Sequence, residues 1–323
     1  MSYNLLHVEN LRTYFFTHRG TVKAVDGVSF DIKKGEILGL VGETGCGKSV
    51  TGLSVMRLIP MPPGKIVEGK IVFAGEDLLE KSESKMREIR GCKISMIFQE
   101  PTLALNPLFT TGTQIRDVVR THQKVNKQEA IAIALEMMKH VGIPEPERRL
   151  KQYPHELSVG TQQRIMIAMA LSCNPLLLIA DEPTTALDVT IETLIIRLIK
   201  ELKEKLNMSV LFITHNLGVV AMICNRVAVM YAGTIVEEAP VLDFFENPKH
   251  PYTESLLKCI PRLALRGARL ATITGDVPSG MGNPSGCKFH PRCPKFIGDI
   301  CVNVVPTYHE IYDGHHLACH LYG

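Results

Sequence analysis

The feature that most constrains the fold is the segment Gly42–Ser49, which reads G-E-T-G-C-G-K-S. An apolar run, 37–41, precedes it, and an amphipathic segment follows it. This order predicts a buried strand, a glycine-rich turn and a helix, which is the context of a phosphate-binding loop. Glycines let successive backbone N–H groups face one anion, and the helix start adds partial positive charge. The candidate phosphate-contacting residues are Gly42, Glu43, Thr44, Gly45, Cys46, Gly47, Lys48, Ser49 and Val50.

Four side chains are predicted to carry the chemistry of this site. Lys48 is placed to reach the β- and γ-phosphates, and the Ser49 hydroxyl is placed to ligate Mg²⁺. Further along the chain, the apolar run 177–180 ends in two carboxylates, Asp181 and Glu182. We expect Asp181 to hold Mg²⁺ and Glu182 to polarise the attacking water.

Length and composition limit the class of protein. A chain of 323 residues is long enough for one large domain with an appendage. The net charge of +3 is too small to indicate a nucleic-acid or acidic-membrane partner. No apolar run approaches the roughly 18 residues of a membrane span, and the N-terminus does not resemble a signal peptide. We therefore expect a cytosolic chain whose cysteines stay reduced.

Periodicity along the chain predicts the fold class. Residues 8–16 and 24–32 alternate apolar and polar residues, which indicates an antiparallel β subdomain. The continuous apolar runs 176–180 and 210–213 suit strands covered on both faces, with a crossover helix, 191–206, between them. Residues 103–172 are predicted to form a helical subdomain. The expected fold is thus α/β with a parallel core, in a domain 1–246, followed by a small irregular module, 247–323, that is rich in Pro, Gly, Cys and His.

Several short motifs follow in a recognisable order. Residues 157–164 read L-S-V-G-T-Q-Q-R, Gln99 follows a predicted strand, and His215 follows another. With residues 185–188, which end in Asp188, they resemble the signature motif, Q-loop, switch histidine and D-loop of the ATP-binding cassette (ABC) family. The resemblance spans roughly residues 5–245 and implies a phosphate-loop ATPase fold.

The resemblance also implies roles that spacing cannot give. ATPases of this family dimerise head to tail, so ATP would lie between the phosphate loop of one subunit and Ser158 and Gly160 of the other. His215 would contact the γ-phosphate, and Gln99 would sense Mg²⁺ and couple to the membrane partner. An aromatic residue near the first strand would stack on adenine. By position that residue is Phe15, with Tyr14 as the alternative.

One position departs from the family pattern. The family signature usually has glycine where this chain has Val159. A β-branched residue would be strained if the backbone there were left-handed. Because Ser158 and Gly160 are retained, we expect the opposite site still to hydrolyse ATP.

Four of the nine cysteines lie near the C-terminus with the spacing C-x5-C-x7-C-x17-C: Cys287, Cys293, Cys301 and Cys319. With the preceding N-P-K-H-P-Y-T, this tail resembles the extension of oligopeptide and dipeptide permease ATPases, members of which can hold a 4Fe–4S cluster on four such cysteines. Four thiolates suit such a cluster. Structural Zn²⁺ is the alternative, although its cysteines are usually paired as C-x2–4-C.

The resemblance favours the ATPase subunit of an ABC importer for di- and oligopeptides. Its expected partners are transmembrane permease subunits, a second ABC ATPase, and indirectly an external substrate-binding protein. A heterodimer is preferred and a homodimer is possible. The expected location is the cytoplasmic face of the inner membrane. The alternatives are a soluble ABC ATPase that acts on nucleic acid or ribosomes, a cluster-dependent sensor, and an importer for nickel or another solute.

Overall fold

The computed structural model describes residues 4–185, 189–260 and 272–323. These residues divide into two compact units. The first unit comprises residues 33–36, 80–185 and 189–212, and the second comprises 4–32, 37–79, 213–260 and 272–323.

The second unit begins with a sheet of four strands in the order β2-β1-β4-β5. In it, β4 runs antiparallel to both β1 and β5, which confirms the predicted antiparallel subdomain. The buried apolar positions of β1 alternate with more exposed ones over much of its length, as a half-covered sheet requires. The elements of this part of the chain are β1 (Asn4–Thr17), β2 (Gly20–Lys33), β3 (Ile37–Val41), α1 (Lys48–Val55), β4 (Gly64–Phe73) and β5 (Glu76–Asp77).

The first unit contains three strands in the order β6-β7-β8, of which β6 and β7 are parallel. All of their residues are buried, as expected for strands covered on both faces. The elements are α2 (Glu83–Ile89), β6 (Ile94–Ile97), α3 (Pro101–Ala104), α4 (Thr111–His122), α5 (Lys127–His140), α6 (Pro146–Arg149), α7 (Val159–Leu171), β7 (Leu177–Asp181), α8 (Val189–Leu206) and β8 (Ser209–Thr214), which begins in this unit.

Residues 103–172 are mostly helical, and α5 shows the local cause. The bounds of a helical subdomain stay a prediction. The Asn126 side chain accepts hydrogen bonds from the N–H groups of Gln128 and Glu129, and the Glu129 carboxylate accepts one from the Asn126 N–H. This capping box satisfies otherwise unpaired N–H groups at the helix start. Ala130, Ala134, Met137 and Met138 form the buried face of α5.

The C-terminal part of the second unit adds strands to the sheet that contains β3, in the order β11-β12-β10-β9-β3. β3 and β9 are parallel, whereas β9 and β10, β10 and β12, and β12 and β11 form antiparallel pairs. The expected irregular module is therefore partly regular, because its strand β12 pairs with β10 through Glu237 and Leu317. The boundary at residue 246 stays a prediction. The elements are α9 (Leu217–Ile223), β9 (Arg226–Tyr231), β10 (Thr234–Pro240), α10 (Val241–Glu246), α11 (Pro251–Lys258), α12 (Asp299–Asn303), β11 (His309–Tyr312) and β12 (His315–Leu317).

Among the described residues, none of the helices combines the length and the apolar character needed to cross a bilayer.

Candidate functional site

The phosphate-binding loop lies in the second unit between β3 and α1, in the predicted context. Gly42, Gly45 and Gly47 have φ angles of +150°, +84° and +109°. A Cβ on Gly42 would lie 2.2 Å from the carbonyl oxygen of Met230, and one on Gly47 would lie 2.2 Å from that of Ala24. These two positions therefore require glycine both for their backbone angles and for the close approach of another chain segment.

The Lys48 side chain is buried and lies back across the loop that precedes it. Its Nζ donates to the carbonyl oxygens of Gly42 at 2.8 Å and Glu43 at 3.1 Å. These neutral acceptors hold the ammonium against the loop. Beside it, Cys46 is buried, and this burial raises the pKa of its thiol.

A residue of the tail contacts the loop at Glu43. The Arg292 guanidinium donates to the two Glu43 carboxylate oxygens at 2.8 and 3.0 Å, which is a bidentate ion pair. Hydrogen bonding to Glu43 raises the pKa of Arg292 above its ordinary value. The Glu43 N–H donates to the Tyr252 hydroxyl at 3.0 Å, and Arg292 also lies over the Tyr231 ring. The second residue of the phosphate loop is thus held through its backbone and its side chain by the C-terminal part of the chain.

His215 lies at the mouth of the same loop. Together with Gly42, Glu43 and Thr44 it lines a pocket of about 250 Å³, which Leu217 and Leu256 complete. The structure therefore brings the predicted switch histidine to the first residues of the phosphate loop.

The two aromatic candidates for adenine stacking lie near the end of β1. The Tyr14 hydroxyl donates to Asp26 at 2.7 Å, and Lys23 lies over the Tyr14 ring. Burial would raise the pKa of Asp26, but hydrogen bonds from Tyr14 and Lys288 outweigh it and lower that pKa. Tyr14 is thus committed to a polar network, whereas Phe15 is half-buried and has no polar group to satisfy.

In the first unit, the structure brings Gln99 and Glu182 together. The Gln99 Nε2 donates to a Glu182 carboxylate oxygen at 3.2 Å, and the Thr185 hydroxyl donates to the same oxygen at 2.9 Å. Glu182 has a φ of +44°, in the left-handed region that non-glycine residues seldom adopt. Asp181 is buried at the end of β7, directly before it. Asp188 lies outside the described residues.

The signature segment forms the start of α7. Ser158 is its N-cap, and the Ser158 side chain accepts a hydrogen bond from the Thr161 N–H. Val159 is the first residue of the helix and is half-exposed, with a right-handed backbone. The strain that a left-handed backbone would impose on a β-branched residue is therefore absent. Gly160 also lies in α7, and a Cβ there would make only an ordinary 3.6 Å contact with Ile191. Neither Val159 nor Gly160 therefore lies at a position that requires glycine.

Two buried glutamines on α7 were missed by the sequence reasoning. Gln162 Nε2 donates to the carbonyl oxygens of Pro154 and Leu157, and Gln163 Nε2 donates to that of Pro183. Gln163 thereby ties the signature helix to the residue after Glu182. The signal available in the sequence was two adjacent amides in a helix whose other inward positions are apolar.

The four tail cysteines line one small cavity, which their spacing alone could not show. As it stands, the cavity has room for about one water molecule. Burial raises the pKa of the Cys287 and Cys293 thiols, and nearby thiolates raise both pKa values further. Burial also raises the pKa of Cys319 to about 11.

In the part of the chain that the structure describes, no three His, Cys, Asp or Glu side chains are grouped as ligands of one metal ion. The expected metal-binding module is thus not shown.

A buried polar cluster borders this cavity. Glu237 accepts a hydrogen bond from His315 Nε2 at 2.7 Å and others from the N–H groups of Lys249 and His250. Burial alone would raise the pKa of Glu237, but these donors outweigh it and lower that pKa. His250 itself lines the cysteine cavity, and burial lowers the pKa of its imidazole to about 4.

The strand, loop and helix around Lys48, with two carboxylates that end another buried strand, define a phosphate-loop nucleotide-binding protein. The chain belongs to the ABC transporter family and is an ABC ATPase. Residues 25–185 match the family model described as ABC transporter. Residues 236–301 match the model described as oligopeptide/dipeptide transporter, C-terminal region.

Proteins that are similar to this chain support the assignment to the ABC family. The chain is 53% identical to the probable peptide ABC transporter ATP-binding protein y4tR of Sinorhizobium fredii, over 98% of this chain and 94% of that one. It is 50% identical to the dipeptide transport ATP-binding protein DppD of Bacillus subtilis, with the same coverage. A solved structure titled as the dimeric post-hydrolysis state of the ATP-binding cassette MJ0796 bound to ADP and Pi matches with a TM-score of 0.66 at 27% identity, over 73% of this chain and 98% of that chain. The expected α/β cassette fold is confirmed.

Proposed function

We propose that this chain is the ATP-hydrolysing subunit of an ABC importer for di- and oligopeptides. The observation that carries the proposal is that one chain joins an ABC cassette to a tail matching the C-terminal region of oligopeptide/dipeptide transporters. Relatives named for peptide or dipeptide transport match it over nearly its whole length.

We propose the following nucleotide roles, which the positions of the side chains support. Lys48 exchanges its loop carbonyls for β- and γ-phosphate oxygens, and His215 approaches the γ-phosphate from the adjoining pocket. The Glu182 carboxylate orients the attacking water, with Gln99 holding that carboxylate in position in the nucleotide-free state. Mg²⁺, when bound, neutralises phosphate charge, and Ser49, Asp181 and Gln99 would hold it. Phe15 stacks on adenine, since the Tyr14 hydroxyl is engaged by Asp26.

ATP binding is proposed to join two such subunits head to tail. Ser158 and the N–H groups at the start of α7 form an anion-seeking helix N-terminus for the γ-phosphate held by the opposite subunit, where Asp188 would also contribute. We favour a sister ATPase as the partner. Hydrolysis then releases the dimer, and permease subunits at the cytoplasmic face of the inner membrane convert the cycle into alternating access. An external substrate-binding protein supplies the peptide.

The tail cysteines are proposed to hold a 4Fe–4S cluster. Four free thiols line one cavity, and four cysteine thiolates are the usual ligand set of such a cluster. Structural zinc is the alternative, although its cysteines are usually paired as C-x2–4-C, a spacing that the tail does not have. When bound, such a cluster would cross-link the short tail.

Co-purification and transport test the main proposal. The tagged chain, expressed with candidate permease subunits, should retain those membrane subunits in detergent. The complex returned to inside-out vesicles should show ATP-dependent movement of a labelled tripeptide across the membrane. The matched control is the same complex with Glu182→Gln, which should bind ATP but not transport. Transport of nickel without peptide, or retention of ribosomes instead of membrane subunits, would overturn the assignment.

A further inference from the structure

His250 is the N-cap of α11, and its hydrogen bonding settles which ring nitrogen carries the proton. The backbone N–H of Tyr252 donates to His250 Nδ1 at 3.0 Å. A nitrogen that accepts a hydrogen bond has no proton of its own, so the proton of this imidazole lies on Nε2. Nε2–H is therefore a donor and not a metal ligand.

This donor is buried and has no partner. The His250 side chain is only 1% exposed, and Nε2 makes no hydrogen bond in the structure. A buried N–H left unpaired costs about 1–3 kcal/mol, so a partner is expected. The residue lines the cavity formed by the four cysteines, and its other neighbours there include the apolar Pro251 and Phe289.

The two other histidines of the cavity differ from His250. His290 Nδ1 lies 3.0 Å from the carbonyl oxygen of Cys287, and His320 Nε2 lies 2.8 Å from that of Val304. Each thus has a backbone acceptor of its own. Among the cavity's histidines in the described residues, His250 is the one whose buried ring nitrogen has none.

We propose that His250 Nε2–H donates a hydrogen bond to a sulfur atom of the cluster held by Cys287, Cys293, Cys301 and Cys319, and so raises the reduction potential of that cluster. The inference rests on the proposed cluster. An N–H donor stabilises the extra negative charge that reduction places on the sulfurs, which is one of the means by which proteins set cluster potentials. The ring is well placed for this, because its Nδ1 is fixed by α11 and its backbone N–H is fixed by Glu237 at 2.9 Å.

The potential of the cluster is the measurement that tests the proposal. The full chain is purified without air as wild type, His250→Asn and the matched control His320→Asn, and iron and acid-labile sulfide are counted. Asparagine can still cap α11 but is too short to place a donor where Nε2 lies. At a fixed potential, His250→Asn should show about tenfold less reduced cluster than wild type, a shift of about 59 mV for a one-electron couple. His320→Asn should change the ratio less than twofold.

Each result has a distinct meaning. Iron-free wild-type protein would overturn the cluster, and this inference with it. A loaded His250→Asn variant with an unchanged potential would overturn the inference alone. If the variant does not hold its cluster, wild-type protein labelled with ¹⁵N-histidine decides the matter, since pulsed EPR of the reduced cluster should detect weak coupling to a non-ligand histidine nitrogen. Absence of that coupling would refute the hydrogen bond.

Discussion

Breaking the ion pair between Arg292 and Glu43 should weaken both the fold and nucleotide binding. The two hydrogen bonds measure 2.8 and 3.0 Å, and the side chains are 6% and 28% exposed. Removing one partner of a fully buried pair costs about 3–5 kcal/mol. Because Glu43 retains some contact with water, we expect Arg292→Ala to lower the free energy of unfolding by about 2–3 kcal/mol.

The effect on nucleotide binding has an electrostatic origin. Glu43 lies within the phosphate loop, where its negative charge opposes a triphosphate, and Arg292 neutralises it. Without the guanidinium, the affinity for MgATP should fall about tenfold, equivalent to about 1.4 kcal/mol. Adding Glu43→Gln to Arg292→Ala removes the uncovered charge and should restore most of the affinity. Arg292→Lys should restore only part of it, because a lysine cannot make the bidentate contact.

A double-mutant cycle provides the assay. Urea unfolding and calorimetric MgATP titration are measured for wild type, the two single variants and the double variant. A coupling energy below about 0.5 kcal/mol in unfolding would show that the pair contributes no more than an exposed ion pair. Equal MgATP affinity for Arg292→Ala and wild type would refute the electrostatic argument.

The remaining predictions concern catalysis, the signature and acid stability. Glu182→Gln should keep MgATP affinity within about threefold and lower kcat at least 100-fold, since the water loses its orienting carboxylate; turnover at the wild-type rate would remove Glu182 from that role, and Lys48→Ala is the control that should lose affinity. Val159→Gly should leave kcat within about threefold, because the helical backbone there is already unstrained; a gain of orders of magnitude would mean that the natural signature is impaired. Glu237→Gln should lower the free energy of unfolding by about 3 kcal/mol at pH 7. Because the fold lowers the pKa of Glu237 below its ordinary value, the stabilisation is fully present above that ordinary value and is lost as the pH falls through the lowered pKa. Urea unfolding from pH 7 to 3 should therefore show that the difference in the free energy of unfolding between wild type and Glu237→Gln becomes smaller. A difference that stays constant with pH would contradict the charge argument.

Local patterns were enough to predict the cassette. The loop 42–49 carries its own requirement for glycine, and the structure shows why, since a Cβ on Gly42 or Gly47 would meet a backbone oxygen. Continuous apolar runs likewise predicted the buried strands β7 and β8. Such features depend on interactions among neighbours in the chain, which a sequence displays directly.

Contacts between distant segments could not be predicted in this way. Arg292 lies 249 residues from Glu43, and nothing near either residue indicates the pairing. The same holds for β12, whose pairing with β10 turns part of the expected irregular tail into sheet. The sequence could not decide the backbone conformation of Val159, because strain there depended on whether that backbone is left-handed. The structure shows that α7 begins at Val159, directly after the Ser158 cap, so the backbone is right-handed.

The pairing of β12 with β10 limits how the protein can be shortened. A chain cut after residue 246 would keep the pairing of β10 with β9 but lose its pairing with β12, which leaves N–H and C=O groups on that edge of β10 open to other molecules. The cut would also remove His315 and leave the Glu237 carboxylate without its imidazole neighbour. Self-association of the shortened protein is the expected outcome, so studies of the isolated ATPase should retain residues up to at least 317.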